Sequence, residues 1–439
     1  MPKRSLDKKS IWDVPSILSA FDSSGIKERH AVALWSFLLR HPDASPSDIP
    51  DFPKAALTVL GESFHRSTSF ITSRKDSSRG DTTKLLLSLH DGMQVEAVIM
   101  KYEKERSLHP SEDEDDDIMS ATTSQRTTRD GGSEVKHLPS RKSHKRSTLC
   151  VSSQVGCQME CTFCSTGTMG LKGDLSCGEI IEQLLHARSI TDIRNVVFMG
   201  MGEPLNNYEA VRYAVRMMTD PRFFGLGKQQ VTISTVGVIP RIRSLTNDLP
   251  GVGLALSLHA PTQELREQIV PSAKAYKLTK LMDAVLDFER RSGQRVFVEY
   301  VMLADVNDGE EVAHQLGTLL KEHNVLLNLI PWNPVYSPSS PHFSAPTRES
   351  VLRFQGIMRS NYAIMTTIRQ EKGQDISGAC GQLVIQQMAP SGVMMPHASS
   401  GDSRGLKATS SDSDAVESGS YAVDTPKTLD DIEDLGYRS

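Results

Sequence analysis

The feature that most narrows the fold is a repeated alternation of apolar, β-rich runs with helical patterns through the second half of the chain. The runs cover residues 195–199, 231–235, 253–258, 296–302, 326–330 and 363–368. One intervening helix opens with Ser176-Cys177-Gly178-Glu179, the spacing of a capping box, and continues through Ile180, Ile181, Leu184 and Leu185. Another carries Leu281, Met282, Val285 and Leu286 and stops at Gly293. Strand–helix alternation on this scale requires a parallel sheet with crossover helices. The sheet can close as a complete or partial barrel or stay open. In either case the working residues gather at the carboxyl ends of its strands.

The flanking segments read differently. Between residues 10 and 60, Ile17, Leu18 and Phe21, then Val32, Leu34, Trp35, Leu38 and Leu39, recur at helical spacing. Runs at 85–89 and 95–99 flank Asp91-Gly92, a strong hairpin signal. Residues 1–103 are therefore expected to form a small α+β module. Residues 104–147 hold an acidic run at 111–117, a Ser/Thr stretch and the basic run Arg141-Lys142-Ser143-His144-Lys145-Arg146. With little apolar surface to offset ordering entropy, this segment reads as a disordered, solvated insertion. The expected core domain spans 148–388, and residues 389–439 read as a disordered acidic tail. That tail holds 4 basic and 9 acidic residues, which accounts for the chain's net charge of −5. Overall charge therefore neither supports nor excludes a nucleic-acid partner.

No apolar run reaches the length of a membrane span, so no membrane partner is expected. The basic start lacks the apolar core of a secretory signal, and Asp7 and Asp13 interrupt an organellar presequence. Six cysteines, three of them packed in one loop, suit a reducing compartment. A cytoplasmic location is expected, with an organellar one left open.

Those three thiols lie in Cys157-Gln158-Met159-Glu160-Cys161-Thr162-Phe163-Cys164. A four-iron cluster takes one protein ligand per iron, usually a thiolate, so three cysteines leave one iron open for a substrate or cofactor. The competing reading is a structural zinc site, which needs a fourth ligand and usually draws a second Cys/His pair from elsewhere. No such pair is present. Polar residues punctuate the strand ends: Gly200-Met201-Gly202-Glu203-Pro204, Ser234, Ser257-Leu258-His259, and Pro331-Trp332-Asn333-Pro334. Four such ends beside a three-thiol loop point to one cofactor pocket.

The spacing C-x3-C-x2-C followed by a GxGEP-like loop resembles the radical S-adenosylmethionine superfamily. Five stretches sharpen the resemblance to the adenine-C2 RNA methyltransferases within it. They begin at Leu149-Cys150-Val151, Gly200-Met201-Gly202, Ser257-Leu258-His259, Asn328-Leu329-Ile330 and Asp375-Ile376-Ser377, and the likeness runs from Leu149 to about Leu383. The resemblance implies a partial (β/α) barrel, a 4Fe-4S cluster and S-adenosyl-L-methionine. It implies two S-adenosylmethionine molecules per turnover, large-subunit rRNA and in several members tRNA as substrate, and a flavodoxin- or ferredoxin-type reductant. The enzyme is expected to act as a monomer.

Residue by residue, the resemblance gives Cys157, Cys161 and Cys164 as cluster ligands. It gives Gly202, Glu203, Ser234, Ser257, Leu258, His259 and Asn333 as positions that hold S-adenosylmethionine. Cys380 matches the cysteine that is first methylated, Cys150 its partner in a transient disulfide, and Glu96 the proton acceptor. The chemistry explains the need: C2 of adenine is not nucleophilic, so a methyl carried on Cys380 sulfur must add as a radical and then be released by a second thiol. Glu96 reads equally as the outward position of the alternating strand Val95-Glu96-Ala97-Val98. Cys177, at a helix start, reads as inert. The chain departs from the family at Gly173-Asp174-Leu175, where Arg-Asn-Leu is usual, and at Lys372-Gly373, where Arg-Gly is common. The alternatives are adenine-C8 methylation by the same cysteines, which Pro204 and Trp332-Asn333-Pro334 disfavour, and a non-catalytic, metal-containing RNA-binding protein.

Overall fold

The computed structural model describes Arg4 and residues 8–102, 146–335, 343–370, 372–379 and 381–383. The expected disordered insertion and tail fall almost entirely outside these residues, as does Cys380. Ten strands form one sheet in consecutive order. They are β1 (Ser69–Asp76), β2 (Thr82–Leu89), β3 (Gln94–Tyr102), β4 (Arg146–Cys150), β5 (Asn195–Phe198), β6 (Val231–Thr235), β7 (Gly253–Ser257), β8 (Val296–Met302), β9 (Val325–Pro331) and β10 (Thr366–Ile368). From β4 to β10 every neighbouring pair is parallel. Among the described residues β10 pairs only with β9, so the parallel part is a barrel left open along one side.

Helices α4 (Cys177–Arg188), α5 (Tyr208–Thr219), α6 (Ile239–Asp248), α7 (Gln263–Ile269), α8 (Leu278–Ser292), α9 (Glu310–Leu320) and α10 (Arg348–Tyr362) make the crossovers. With both faces of the sheet covered, its strands need apolar side chains in both directions. All seven residues of β8 are buried. The expected capping box opens α4: the Glu179 N–H donates to Ser176 Oγ (3.2 Å) and the Ser176 N–H to Glu179 Oε2 (2.8 Å). Helix α8 ends where Gly293 takes the left-handed conformation, φ 67°.

The first 60 or so residues fold as α1 (Val14–Ser23), α2 (Arg29–Arg40) and α3 (Lys54–Ser63). The hairpin at Asp91-Gly92 is β2–β3, and it does not stand apart from the core. Strand β3 pairs antiparallel with β4, setting Val98 opposite Cys150, so β1–β3 form an antiparallel wing on the barrel sheet.

Two of the expected strand ends that shift have a local backbone cause. β10 begins at Thr366 rather than residue 363, because Ala363 is the left-handed cap of α10 with φ 54°. β7 stops at Ser257 because the chain turns at His259, φ 63°.

Candidate active site

The barrel strands aim their carboxyl ends at a single deep pocket. Its wall includes Cys157, Cys161, Cys164, Gly202, Glu203, Ser234, Ser257, His259 and Asn333, with Cys150 at the end of β4. The cysteine loop crosses this opening, framed by a two-stranded ribbon of Gln154–Gly156 and Leu171–Asp174. It is tied down from three sides. The Cys157 N–H donates to the Gly170 carbonyl (3.2 Å), the Thr162 N–H to Ile269 O (3.0 Å) and the Trp332 indole N–H to Phe163 O (3.1 Å).

Gly156 makes the loop's entry feasible. Its φ is 74°, and a Cβ there would sit 1.9 Å from the Gly170 carbonyl oxygen. Alanine at Gly156 should therefore destabilise the fold by roughly 3 kcal/mol through strain and overpacking, read as a lower unfolding temperature of the metal-free protein.

The three thiols sit among Met159, Phe163, Ala260, Ile269, Val270 and Trp332. Burial pushes the Cys157 thiol up to about 12 and carries Cys161 well above its ordinary range, with Cys164 raised as well. Thiolates in so apolar a shell need a strongly charged metal centre, which deprotonates them on binding. Among the described residues no three His, Cys, Asp or Glu side chains are gathered to hold one metal ion. A single zinc ion draws its sulfurs to about 2.3 Å of one point, whereas a cluster takes them at separate corners. Three thiols from one loop are the donor set of a four-iron cluster with one iron left open, whereas a closed zinc site takes a fourth ligand.

Beside the thiols lie the cofactor positions. Gly202 has φ 98°, and a Cβ there would meet Gln154 Cβ at 2.5 Å. The Glu203 N–H donates to Gln154 Oε1 (2.8 Å), while the Glu203 carboxylate accepts from the Leu205 N–H (3.0 Å) and the Val236 N–H (2.9 Å). Burial outweighs those bonds and pushes Glu203 up to about 7. Ser234 Oγ and Ser257 Oγ are 3.2 Å apart on adjacent strands. Asn333 Oδ1 accepts from Gln374 Nε2 (2.8 Å).

His259 is buried and held well below its ordinary range, at about 3, by desolvation and then by the Arg266 charge. The Val301 N–H donates to His259 Nδ1 (3.1 Å), so the neutral ring carries its proton on Nε2. Its positive φ is stabilised by Asn307, whose Nδ2 donates to both His259 O (2.9 Å) and Val301 O (2.7 Å). Leu258 is buried behind the pocket wall, its N–H bonded to Glu299 O (3.1 Å).

Cys150 is buried and lines the pocket. Ala379 and Gly381, the described neighbours of residue 380, line it too. None of the five described cysteines is joined to another by a disulfide, and a Cys150–Cys380 pair falls on a residue outside the described ones. Cys177 lies away from the pocket at the start of α4, its thiol raised by burial.

Glu96 is not outward-facing: it is buried, and its Oε1 lies 2.9 Å from Lys84 Nζ. It shares a strand face with Val98, Met100 and Tyr102, which line the pocket, but is itself one step behind the wall.

Several site residues escaped sequence reasoning. Arg266 is buried under the strand ends, donating to Leu258 O (3.0 Å), Ser257 O (3.3 Å) and Val236 O. Its helix, Gln263–Ile269, reads as polar and solvated, so nothing flagged it. Glu299, in the pocket wall, had a usable signal as the one acid in the otherwise apolar strand Val296–Met302.

Residues 151–316 match the model of the radical SAM superfamily. Ribosomal RNA large subunit methyltransferase N of Nitrosopumilus maritimus is 39% identical over 347 residues, covering 77% of this chain and 87% of that one. The chain belongs to the RlmN family of radical SAM methyltransferases. The dual-specificity RNA methyltransferase RlmN of Alcanivorax borkumensis is 46% identical over 256 residues, 55% of this chain and 65% of that one. A crystal structure of a radical SAM methyltransferase from Sphaerobacter thermophilus superimposes with a TM-score of 0.68 at 31% identity, covering 85% of this chain and 99% of that one. The RlmN-type chain is thus an enzyme whose cofactors are a 4Fe-4S cluster and S-adenosylmethionine. No helix among the described residues is long and apolar enough to cross a membrane.

Proposed function

We propose that this enzyme methylates C2 of an adenine in large-subunit rRNA, and of an adenine in tRNA, through S-methylcysteine at Cys380. The observation that carries the reading is that Cys150, Ala379 and Gly381 line one pocket together with the three-thiol loop and the Gly202-Glu203 turn. When bound, cluster and S-adenosylmethionine supply a methyl group and one-electron cleavage of a sulfonium C–S bond.

The chain's own residues do the rest. Cys157, Cys161 and Cys164 hold the cluster. Gly202, Glu203, Ser234, Ser257, Leu258, His259 and Asn333 hold S-adenosylmethionine, with the His259 Nε2–H available as a neutral donor. Cys380 presents the methyl carbon to C2, Glu96 accepts the proton lost from that position, and the Cys150 thiol releases the product by pairing with Cys380 sulfur in a transient disulfide.

The target base must leave its stack to enter so deep a pocket. Tyr102, Arg369 and Lys372 line the pocket, with Lys372 Nζ 3.3 Å from the Tyr102 ring centroid, a cationic and aromatic pairing suited to a nucleotide. In this reading residues 1–103 form the module that helps hold RNA, 148–388 the catalytic domain, and 104–147 and 389–439 its insertion and tail. The enzyme works as a cytoplasmic monomer fed by a flavodoxin- or ferredoxin-type reductant. Anaerobic turnover with rRNA and tRNA fragments in separate reactions, read by nucleoside mass spectrometry, tests the proposal. C2-methyladenosine is expected, and C8-methyladenosine without it would overturn the assignment.

The raised Glu203 carboxyl gives a pH test. A bound ammonium favours the carboxylate, so binding must displace the proton that Glu203 holds below about pH 7. The Kd for S-adenosylmethionine is expected to weaken by about tenfold per unit as pH falls below that value, and Glu203→Gln to flatten the dependence.

A further inference from the structure

The segment leading to residue 380 does not hang free from β10. Lys372 Nζ donates to the Lys101 carbonyl (3.1 Å). Gly373, φ 70°, backs onto β2 so closely that a Cβ would lie 2.6 Å from Thr82 Cγ2. The Ser78 N–H donates to Asp375 Oδ2 (2.7 Å). On the far side of residue 380 the Ser165 N–H donates to Gly381 O (2.8 Å) and Thr166 Oγ1 to Leu383 O (2.6 Å), directly after the cluster cysteine Cys164. The loop is therefore stretched from the antiparallel wing to the cluster loop.

At the middle of this span stands Lys84. Its side chain is only 10% exposed, and its ammonium lies 2.9 Å from Glu96 Oε1 and 3.1 Å from the carbonyl of Ser377. Ser377 is a non-glycine residue at φ 53°, a backbone state that needs support from its surroundings. An ammonium presents three donors from a compact head, so one lysine can fix a carboxylate and a carbonyl at once.

We propose that Lys84 is a positioning residue that ties the Glu96 carboxylate to the loop carrying Cys380, so that proton acceptor and methyl carrier keep a fixed relation. This rests on the roles given to Glu96 and Cys380 above. It makes the wing of β1–β3 a part of the catalytic frame as well as an RNA contact.

The test uses the reconstituted full chain with an rRNA fragment and compares Lys84→Met, Lys84→Arg, Glu96→Gln and the Lys84→Met/Glu96→Gln double variant. Lys84→Met should lower kcat for RNA methylation by about a hundredfold while the KM for RNA moves by less than about threefold. Lys84→Arg should recover to within about fivefold of wild type, because it restores charge and both donors. The double variant should be no slower than Glu96→Gln alone, the signature of two groups acting as one unit. Amide exchange at 374–379 should quicken in Lys84→Met and not in Lys84→Arg. If methionine unfolds the wing, Lys84→Gln takes its place. Unchanged kcat in Lys84→Met, losses that multiply in the double variant, or unchanged exchange at 374–379 would each overturn the tether. Full activity in Glu96→Gln would instead remove Glu96 from the reaction. Exchange at 374–379 then still decides whether Lys84 holds the loop.

Discussion

Replacing Cys157 with alanine is expected to give a colourless protein that no longer cleaves S-adenosylmethionine. The loop has three thiols for a four-iron cluster, and among the described residues Cys150 is the one further cysteine in the pocket wall. Losing one of three ligands leaves two irons without protein sulfur, and the cluster is not retained. The expected loss in cleavage exceeds about a thousandfold, or roughly 4 kcal/mol of barrier. The metal-free fold should scarcely notice, because the change deletes one buried sulfur, worth about 1 kcal/mol. Iron content, visible absorbance and 5′-deoxyadenosine release check the chemistry. The unfolding temperature of the metal-free variant separates ligand loss from misfolding. Cleavage at the wild-type rate in Cys157→Ala would remove the loop from the reaction.

The second large effect concerns Cys150. If the methyl carbon bridges Cys380 sulfur and adenine C2 before release, an oxygen in place of the Cys150 sulfur cannot form the disulfide that frees the product. Cys150→Ser should therefore accumulate protein covalently joined to RNA, visible as a slow band on a denaturing gel and removed by nuclease. Free methylated RNA should fall by more than about a thousandfold. The double variant Cys150→Ser/Cys380→Ala should show no band, because it lacks the sulfur that carries the bridge. Normal turnover by Cys150→Ser would exclude the second-thiol route.

Much of the architecture was legible because it is local. Strands at Val231–Thr235 and Val296–Met302 end where their apolar runs end, and the capping box at Ser176 and the stop at Gly293 are short-range devices. The clustering of Gly202, Glu203, Ser234, Ser257, His259 and Asn333 followed from a general property of βα folds, that strand ends converge.

What stayed hidden depends on pairing between distant segments. The β3–β4 ladder joins residues on either side of the long insertion, and no local pattern specifies such a partner. The Lys84–Glu96 contact lies within the β2–β3 hairpin, while the Lys84–Ser377 contact joins segments far apart in sequence. It is the seating of the hairpin on the barrel sheet that buries Glu96, which reads as outward in isolation. Arg266 was hidden for another reason. A charged side chain on a polar helix signals solvent, and only the three carbonyls beneath it show that it is core.

Electron paramagnetic resonance of the anaerobically reconstituted, one-electron-reduced full chain, recorded with and without S-adenosylmethionine, tests the central claim most directly. The account predicts a 4Fe-4S signal whose g-values shift when S-adenosylmethionine is added, because one iron lacks a protein ligand and takes the cofactor. A cluster signal indifferent to S-adenosylmethionine, or a preparation whose only metal is zinc, would contradict it.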